Sequence, residues 1–376
     1  MIGRSRRSGE PGFGETTQVR LPELDWMMFA VAALCCVGIV MSISAQPILE
    51  PVLGGLRGRG VFLALGVIAL VVMAMVPLHW LRDRAHLLFG AAAVAIACTV
   101  LFGVERNHAR RWIVVGPMTF QPVDWAKIAL VLMTARLLAA PEPKTRSHPF
   151  PADLSRLSSA LMPAGLMAAL LFLQPDKGNA ILCCALAGMM ALGAGVGFRW
   201  MLVPAVGAVW LVSRIVLGDG YSGGRVARWA SGDHPDQIAA ARQSFESGGF
   251  TGAGLGAGWR QHGYVPEVRN DMVFSIVGEE LGLVGALGVV GLFALLGVMC
   301  FRLVLRMQDP FCRSVVLGCT VVVCSQALLN MLVTTGAMPA KGIDLPFVSS
   351  GGTNLTASLG AIGLIGNAAR TDSVSH

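Results

Sequence analysis

MVFSIVGEELGLVGALGVVGLFALLGVMCF, residues 272–301, decides the fold class of this chain. Only Glu279 and Glu280 carry charge in it, and it exceeds the ~20 residues a helix needs to cross a bilayer. Nine further apolar runs read the same way, near 26–46, 60–78, 86–104, 124–140, 157–173, 178–198, 200–217, 314–338 and 346–369. Composition agrees: 54% of residues are hydrophobic and 14% charged, with mean hydropathy +0.65, far from a soluble domain. No alternating strand pattern accompanies the runs, and helices are the spanning structure that remains. The expected fold is an all-α polytopic membrane protein. It has about ten transmembrane helices, with a large extracytoplasmic loop, 218–271, before the eighth. Residues 1–25 read as a disordered N-terminus, 26–370 as the membrane domain and 371–376 as a tail.

Arg4, Arg6, Arg7 and Arg20 precede the first span, and the positive-inside rule places them in the cytoplasm. An even number of spans returns the C-terminus to the same side. None of the nine Cys falls in the long loop, and no pair reads as a disulfide staple or metal site. They read as small apolar core residues. The seven His lack ligand spacing, so no structural zinc is assigned. The net charge of +7 is ordinary for a protein facing anionic headgroups. Membrane lipids are the expected surroundings, and no nucleic-acid partner is expected.

The polar chemistry collects in a few places. Arg110 and Arg111 beside Trp112 suit bidentate recognition of phosphate oxygens, or plain anchoring among headgroups. Asp124 and Lys127 are spaced for one helix face, where pairing lowers the burial cost of each. Asp176 stands in a tight turn before Gly178, as a local cap or as a ligand. Residues 141–157, with four Pro, read as a cytoplasmic linker. Arg225 and Arg228 lie in the long loop, followed by GGFTGAGLGAGWRQHGYVPE (248–267). No strand–helix unit precedes those glycines, which excludes a nucleotide fold. Near a membrane they permit close packing or re-entrant backbone. Asp271 opens the span as a helix cap, a catalytic group, or both. Glu279 and Glu280 cannot both face lipid, so at least one faces a polar cavity or a cation such as Lys127. The stretch MPAKGIDLPFVSSGGTNL (338–355) reads as broken helix lining a cavity, with Lys341 as a second anion-binding candidate.

Taken in order, four motifs resemble one family. They are ARRWI (109–113) with FQP (120–122) and Lys127; QPD-x-G (174–178); GLG (254–256), VPE (265–267) and Asp271 running into GEELG (278–282); and P-x-KG-x-x-LPF-x-S-x-GG (339–352). Together they resemble the SEDS family, the FtsW and RodA polytopic peptidoglycan glycosyltransferases, over roughly 105–370. Lys341-Gly342 looks more like the division (FtsW) branch than the elongation (RodA) branch. The chain departs from the family pattern at Val123 and Asp124, at Arg269 and Asn270, at Met272 to Phe274, and at Ser349 to Asn354.

The resemblance implies a multi-pass protein of the bacterial cytoplasmic (inner) membrane that polymerises lipid II at the outer face. Lipid II is the undecaprenyl-pyrophosphate-linked disaccharide pentapeptide. The resemblance maps the catalytic carboxylate onto Asp271. The donor pyrophosphate and polar cavity would involve Arg110, Arg111, Lys127, Asp176, Arg225, Arg228, Glu267, Glu280, Lys341 and Ser349. No metal is assigned, although a divalent cation (Mg2+ or Mn2+) shared between Asp271 and the pyrophosphate is compatible with the chemistry. Implied partners are a class B penicillin-binding protein and other membrane proteins of the divisome or elongasome. No S-x-x-K followed by K-T-G occurs, so crosslinking falls to a separate transpeptidase. A lipid-precursor flippase or a non-catalytic division scaffold is the alternative.

Overall fold

The computed structural model describes residues 21–44, 52–106, 109–115, 118–140, 152–216, 224, 228–232, 236–257, 271–339 and 341–374. Arg225 and Glu267, both expected at the site, lie outside the described residues. The elements in chain order are α1 (Pro22–Ser44), α2 (Val52–Met75), α3 (Leu78–Phe102), β1 (Val104–Arg106), β2 (Ala109–Val115) and β3 (Met118–Phe120). They continue with α4 (Pro122–Leu138), α5 (Ala152–Leu173), α6 (Lys177–Gly193), α7 (Phe198–Val216), α8 (Asp236–Gly248), α9 (Val273–Arg306), α10 (Pro310–Thr334) and α11 (Gly352–Val374).

Among the described residues, five helices are long and apolar enough to cross a membrane: α1, α3, Asp153–Leu173 within α5, α9 and α10. Two shorter apolar helices, Arg59–Met75 within α2 and Lys177–Gly193, accompany them. The chain is therefore a multi-pass helical membrane protein. Its core lies where α10 meets α4 and α6, through side chains such as Val131, Leu186, Met190, Val315 and Cys319, all fully buried.

Cross-links between distant segments define the two ends of the bundle. At one end Arg306 Nη1 lies 2.8 Å from Glu23 Oε1, joining the start of α1 to the end of α9. The Asp372 carboxylate accepts from the N–H groups of Gln308 and Asp309, so the end of α11 caps the α9–α10 turn. Asn367 Nδ2 donates there to the carbonyls of Met73 and Val76. At the other end the last residue of α1, Ser44, donates to Glu280 Oε1. Thr353 Oγ1, at the start of α11, donates to the Thr119 carbonyl at 3.3 Å. The first and last helices thus begin and end on one face, and the segments around Asp271 lie on the opposite one.

The structure adds a feature the sequence reading lacked. β1, β2 and β3 form a small antiparallel sheet in the order β1-β2-β3, with Glu105 opposite Arg110 and Ile113 opposite Phe120. β1 and β3, at three residues, are too short to show a periodicity of two, and β2, ARRWIVV, does not alternate. The sheet sits between α3 and α4 at the Asp271 end.

α9 is the longest helix, at 34 residues, and it is not continuous. Gly282 has φ 66° and ψ −163°, a conformation a side chain makes costly. The break leaves backbone groups that no helical neighbour satisfies. Residues 249–254 satisfy them. The N–H groups of Ala253 and Gly254 donate to the carbonyls of Glu279 and Glu280 at 2.9 and 3.0 Å, and Leu283 N–H donates to the Gly249 carbonyl at 2.9 Å. A Cβ at Gly252 would collide with the Glu280 carbonyl, so the approach needs glycine on both strands. Residues 281–301 are uncharged and rise about 30 Å as helix, the thickness of the hydrocarbon. Glu279 and Glu280, each 1% exposed, therefore lie at its boundary rather than at the bilayer centre.

Candidate functional site

Four segments converge at the end of the bundle away from the termini: the α5–α6 turn, strand β2, the start of α9 and the irregular stretch 335–351 between α10 and α11. Each brings one polar side chain of the sequence reading.

Asp271 stands just before α9, whose cap position is Met272 with no side-chain cap bond. Asn330, in the last two turns of α10 and 1% exposed, fixes its backbone. Asn330 Nδ2 donates to the Asp271 carbonyl at 2.8 Å and to the Ile343 carbonyl at 2.6 Å. One amide thereby ties the segment bearing Asp271 to the segment bearing Lys341. Between them is Gly342, where a Cβ would lie 2.5 Å from Asp271 Oδ2. Glycine leaves the carboxylate its place.

Lys341 crosses to the second half of the site. Its ammonium lies so close over Gly178 that a Cβ there would overlap it. Burial pushes this ammonium down from the usual lysine range to about 8, partly offset by the Asp176 carboxylate. Asp176 is the N-cap of α6, accepting from Asn179 N at 3.3 Å and Asn179 Nδ2 at 2.7 Å. The cap expectation holds, and the same carboxylate also faces cations. Arg111 Nε lies 3.8 Å from Asp176 Oδ2, and Arg111 Nη2 donates to the Pro175 carbonyl at 2.6 Å. The result is a pair of cations, Lys341 and Arg111, with Asp176 between them, and a carboxylate, Asp271, packed against Gly342, the residue next to Lys341.

The other expected residues are placed differently. Arg110, the residue before Arg111, is on the opposite face of β2, where it lies 3.6 Å from Glu105 and is half exposed. Arg228 is exposed and donates to the Gly224 carbonyl. Lys127 and Asp124 form the expected pair on α4, 3.0 Å apart and both buried. A cavity of about 10 Å³ adjoins them, lined also by Gln326, Asn354 and Ser358, enough for one water. Glu280 meets Ser44, not Lys127. Ser349 Oγ donates to Asp344 Oδ1 at 3.1 Å and shapes the 344–351 turn. A groove of about 250 Å³ between Trp26, Leu295 and Met299, bordered by Glu23 and Arg302, lies at the far end, outside this site.

Arg59 was not anticipated. It is 6% exposed in α2 and donates to the carbonyls of Phe347, Val348 and Ser349 at 2.8–3.0 Å and to Ser42 Oγ. Those carbonyls belong to non-helical backbone, including Phe347 at φ 64°, and need partners away from water. Arg59→Leu is expected to destabilise the protein by about 3 kcal/mol or more, by stranding them. Thermal unfolding in detergent checks this.

Comparison with known proteins follows this geometry. The model of the FtsW, RodA and SpoVE family, described as a cell cycle protein, matches residues 25–374. The chain belongs to this family. It is 32% identical to a probable peptidoglycan glycosyltransferase FtsW of Thiomicrospira cyclica, over 90% of this chain and 89% of that one. With the Mycobacterium tuberculosis protein of the same description, identity is 34% over 92% and 67%. Among solved structures, a chain from a peptidoglycan synthase complex that coordinates polymerization and crosslinking superposes with TM-score 0.77 at 28% identity, covering 92% of this chain and 97% of that one. The rod-shape-determining protein RodA of Thermus thermophilus gives TM-score 0.69 at 29% identity, over 92% and 96%.

In this FtsW/RodA-type chain the Asn330 bridge makes a specific prediction. Asn330→Leu keeps the volume and removes both donors. Turnover is expected to fall about 10- to 100-fold as Asp271 drifts from its place, with the KM for lipid-linked substrate within about twofold. Steady-state kinetics on protein of verified fold checks it.

Proposed function

We propose that this chain is a peptidoglycan glycosyltransferase that joins lipid II units into glycan strands at the outer face of the cytoplasmic membrane. The observation that supports it is the pair of cations Lys341 and Arg111 about Asp176, with the Asp271 carboxylate packed against Gly342, the residue next to Lys341, at a membrane boundary. Asp271 takes the proton from the acceptor sugar hydroxyl. The hydroxyl oxygen bonds the donor's anomeric carbon as the bond from that carbon to the pyrophosphate breaks. The electron pair leaves with undecaprenyl pyrophosphate, whose developing charge Lys341 and Arg111 stabilise. Asp176 spaces and orients those two cations. Among the described residues no three His, Cys, Asp or Glu side chains come together as a metal cage. A divalent cation would therefore need substrate oxygens besides Asp271.

The Arg-rich N-terminus favours termini in the cytoplasm, which puts the Asp271 end outside, where lipid-linked sugars are polymerised. The partner is a class B penicillin-binding protein, in keeping with the synthase complex among the structural relatives. Division rather than elongation fits the relatives described as FtsW. The test is release of undecaprenyl pyrophosphate from lipid II by the reconstituted chain and its transpeptidase. Release in step with strand growth supports the proposal. Movement of intact lipid II between leaflets without release refutes it in favour of a flippase.

A further inference from the structure

Residues 249–257, GFTGAGLGA, contain no charge, yet they belong to a polar loop outside the helices. Two large apolar side chains project from them into the open: Phe250 is 76% and Leu255 61% exposed. Exposed singly, such residues mean little. Here they continue an existing surface. Val284 N–H donates to the Phe250 carbonyl at 3.3 Å, which fixes Phe250 level with Val284 on α9. Leu283, Val284 and Leu287 on that helix are exposed as well, and they begin the uncharged run that matches the hydrocarbon. Phe250 and Leu255 thus stand beside the outermost turn of a lipid-facing helix surface.

Non-helical backbone enters hydrocarbon only if its polar groups are satisfied by protein, and this segment meets that condition to an unusual degree. The N–H groups of Gly252, Ala253, Gly254 and Ala257 donate to the carbonyls of Gly248, Glu279, Glu280 and Gly254, and the carbonyls of Gly249 and Phe250 accept from α9. Gly256 N–H donates to Ser44 Oγ at 3.0 Å. Backbone left to water has no need of these partners.

We propose that residues 249–257 form a membrane-embedded hook: a re-entrant segment whose Phe250 and Leu255 insert among the acyl chains at the boundary nearest Asp271. The occupant of this apolar surface is lipid. The hook grips the broken part of α9 between Glu279 and Val284, so membrane insertion and the start of the helix bearing Glu279 and Glu280 are mechanically one unit. This inference does not depend on the catalytic reading.

The test places p-benzoylphenylalanine at position 250, 255, 287 or 246, one at a time, in full-length protein in phospholipid nanodiscs. Illumination inserts the benzophenone into adjacent C–H bonds, and intact-mass spectrometry reads the adduct. Position 287 is the lipid-facing control, and 246, exposed on polar α8, is the water-facing one. Lipid adducts at 250 and 255 comparable to those at 287, and at least fivefold above 246, are expected. Adducts no higher than at 246 would overturn the hook. Repeating the experiment with the transpeptidase co-reconstituted separates lipid from protein: adducts that move wholly to the partner chain identify a protein interface and overturn the proposal. Lipid adducts that persist support it.

Discussion

Asp271→Asn is expected to lower lipid II polymerisation by about 10²- to 10⁴-fold, the range a positioned general base supplies. The amide keeps the shape of the carboxylate and cannot take the proton. Folding should be largely unaffected, because Asp271 is held by its main-chain carbonyl, through Asn330 Nδ2, and Met272 rather than Asp271 occupies the α9 cap position. Asp271→Glu keeps the base but lengthens it toward Gly342, where 2.5 Å is all that a Cβ would leave. Activity between wild type and Asn is expected. Turnover numbers for the three proteins, at matched melting temperatures, decide the matter. Near-wild-type turnover in Asp271→Asn would remove Asp271 from the chemistry.

Lys341→Met is expected to raise the KM for lipid II at least tenfold while leaving the protein as stable or more so. The ammonium is a burial cost: its affinity for a proton is lower in the folded protein, about 8, than the 10.5 of a free lysine. The unfolded chain therefore binds more protons between those values, and wild-type stability should rise with pH from about 8 to 10.5. Below pH 8 the penalty is fully present, on the order of 3 kcal/mol, and methionine abolishes it. Stability gained with function lost marks a charge retained for its ligand. Donor binding runs the other way: the cation is present below about pH 8 and is lost above it. The wild-type KM should climb on the alkaline side, and that limb should vanish in Lys341→Met. Unfolding midpoints and KM profiles between pH 6.5 and 9.5 measure both. A flat wild-type KM would make Lys341 structural.

Much of the site was legible in sequence because burying charge is costly wherever it occurs. Asp124 and Lys127 announced their pairing by a three-residue spacing, and the structure joins them at 3.0 Å. At least one of Glu279 and Glu280 had to leave the lipid, and both are buried in protein. Asp176, Arg111 and Lys341 were singled out separately, and the fold brings them together. Arg110 shows the limit: adjacent arginines look alike in a sequence, but a strand sends them to opposite faces. Arg59 escaped because it precedes its apolar run at residue 60 and so resembled an interfacial anchor. Its signal was a cation, with Arg57, at the edge of a span with no acid nearby in sequence. Asn330 was hidden inside the apolar run 314–338, although an amide at that depth needs partners. The break at Gly282 has no local mark, since glycine is common in membrane helices. What fixes it is the distant segment 249–254, which no local periodicity reveals.

The most direct measurement places the chain with its transpeptidase in one bilayer, adds labelled lipid II, and resolves the products by electrophoresis, with Asp271→Asn alongside. Polymerised glycan from the wild type and none from the variant is the result this account predicts. Equal strand formation by both, or none by either with both proteins folded and the partner bound, would contradict it.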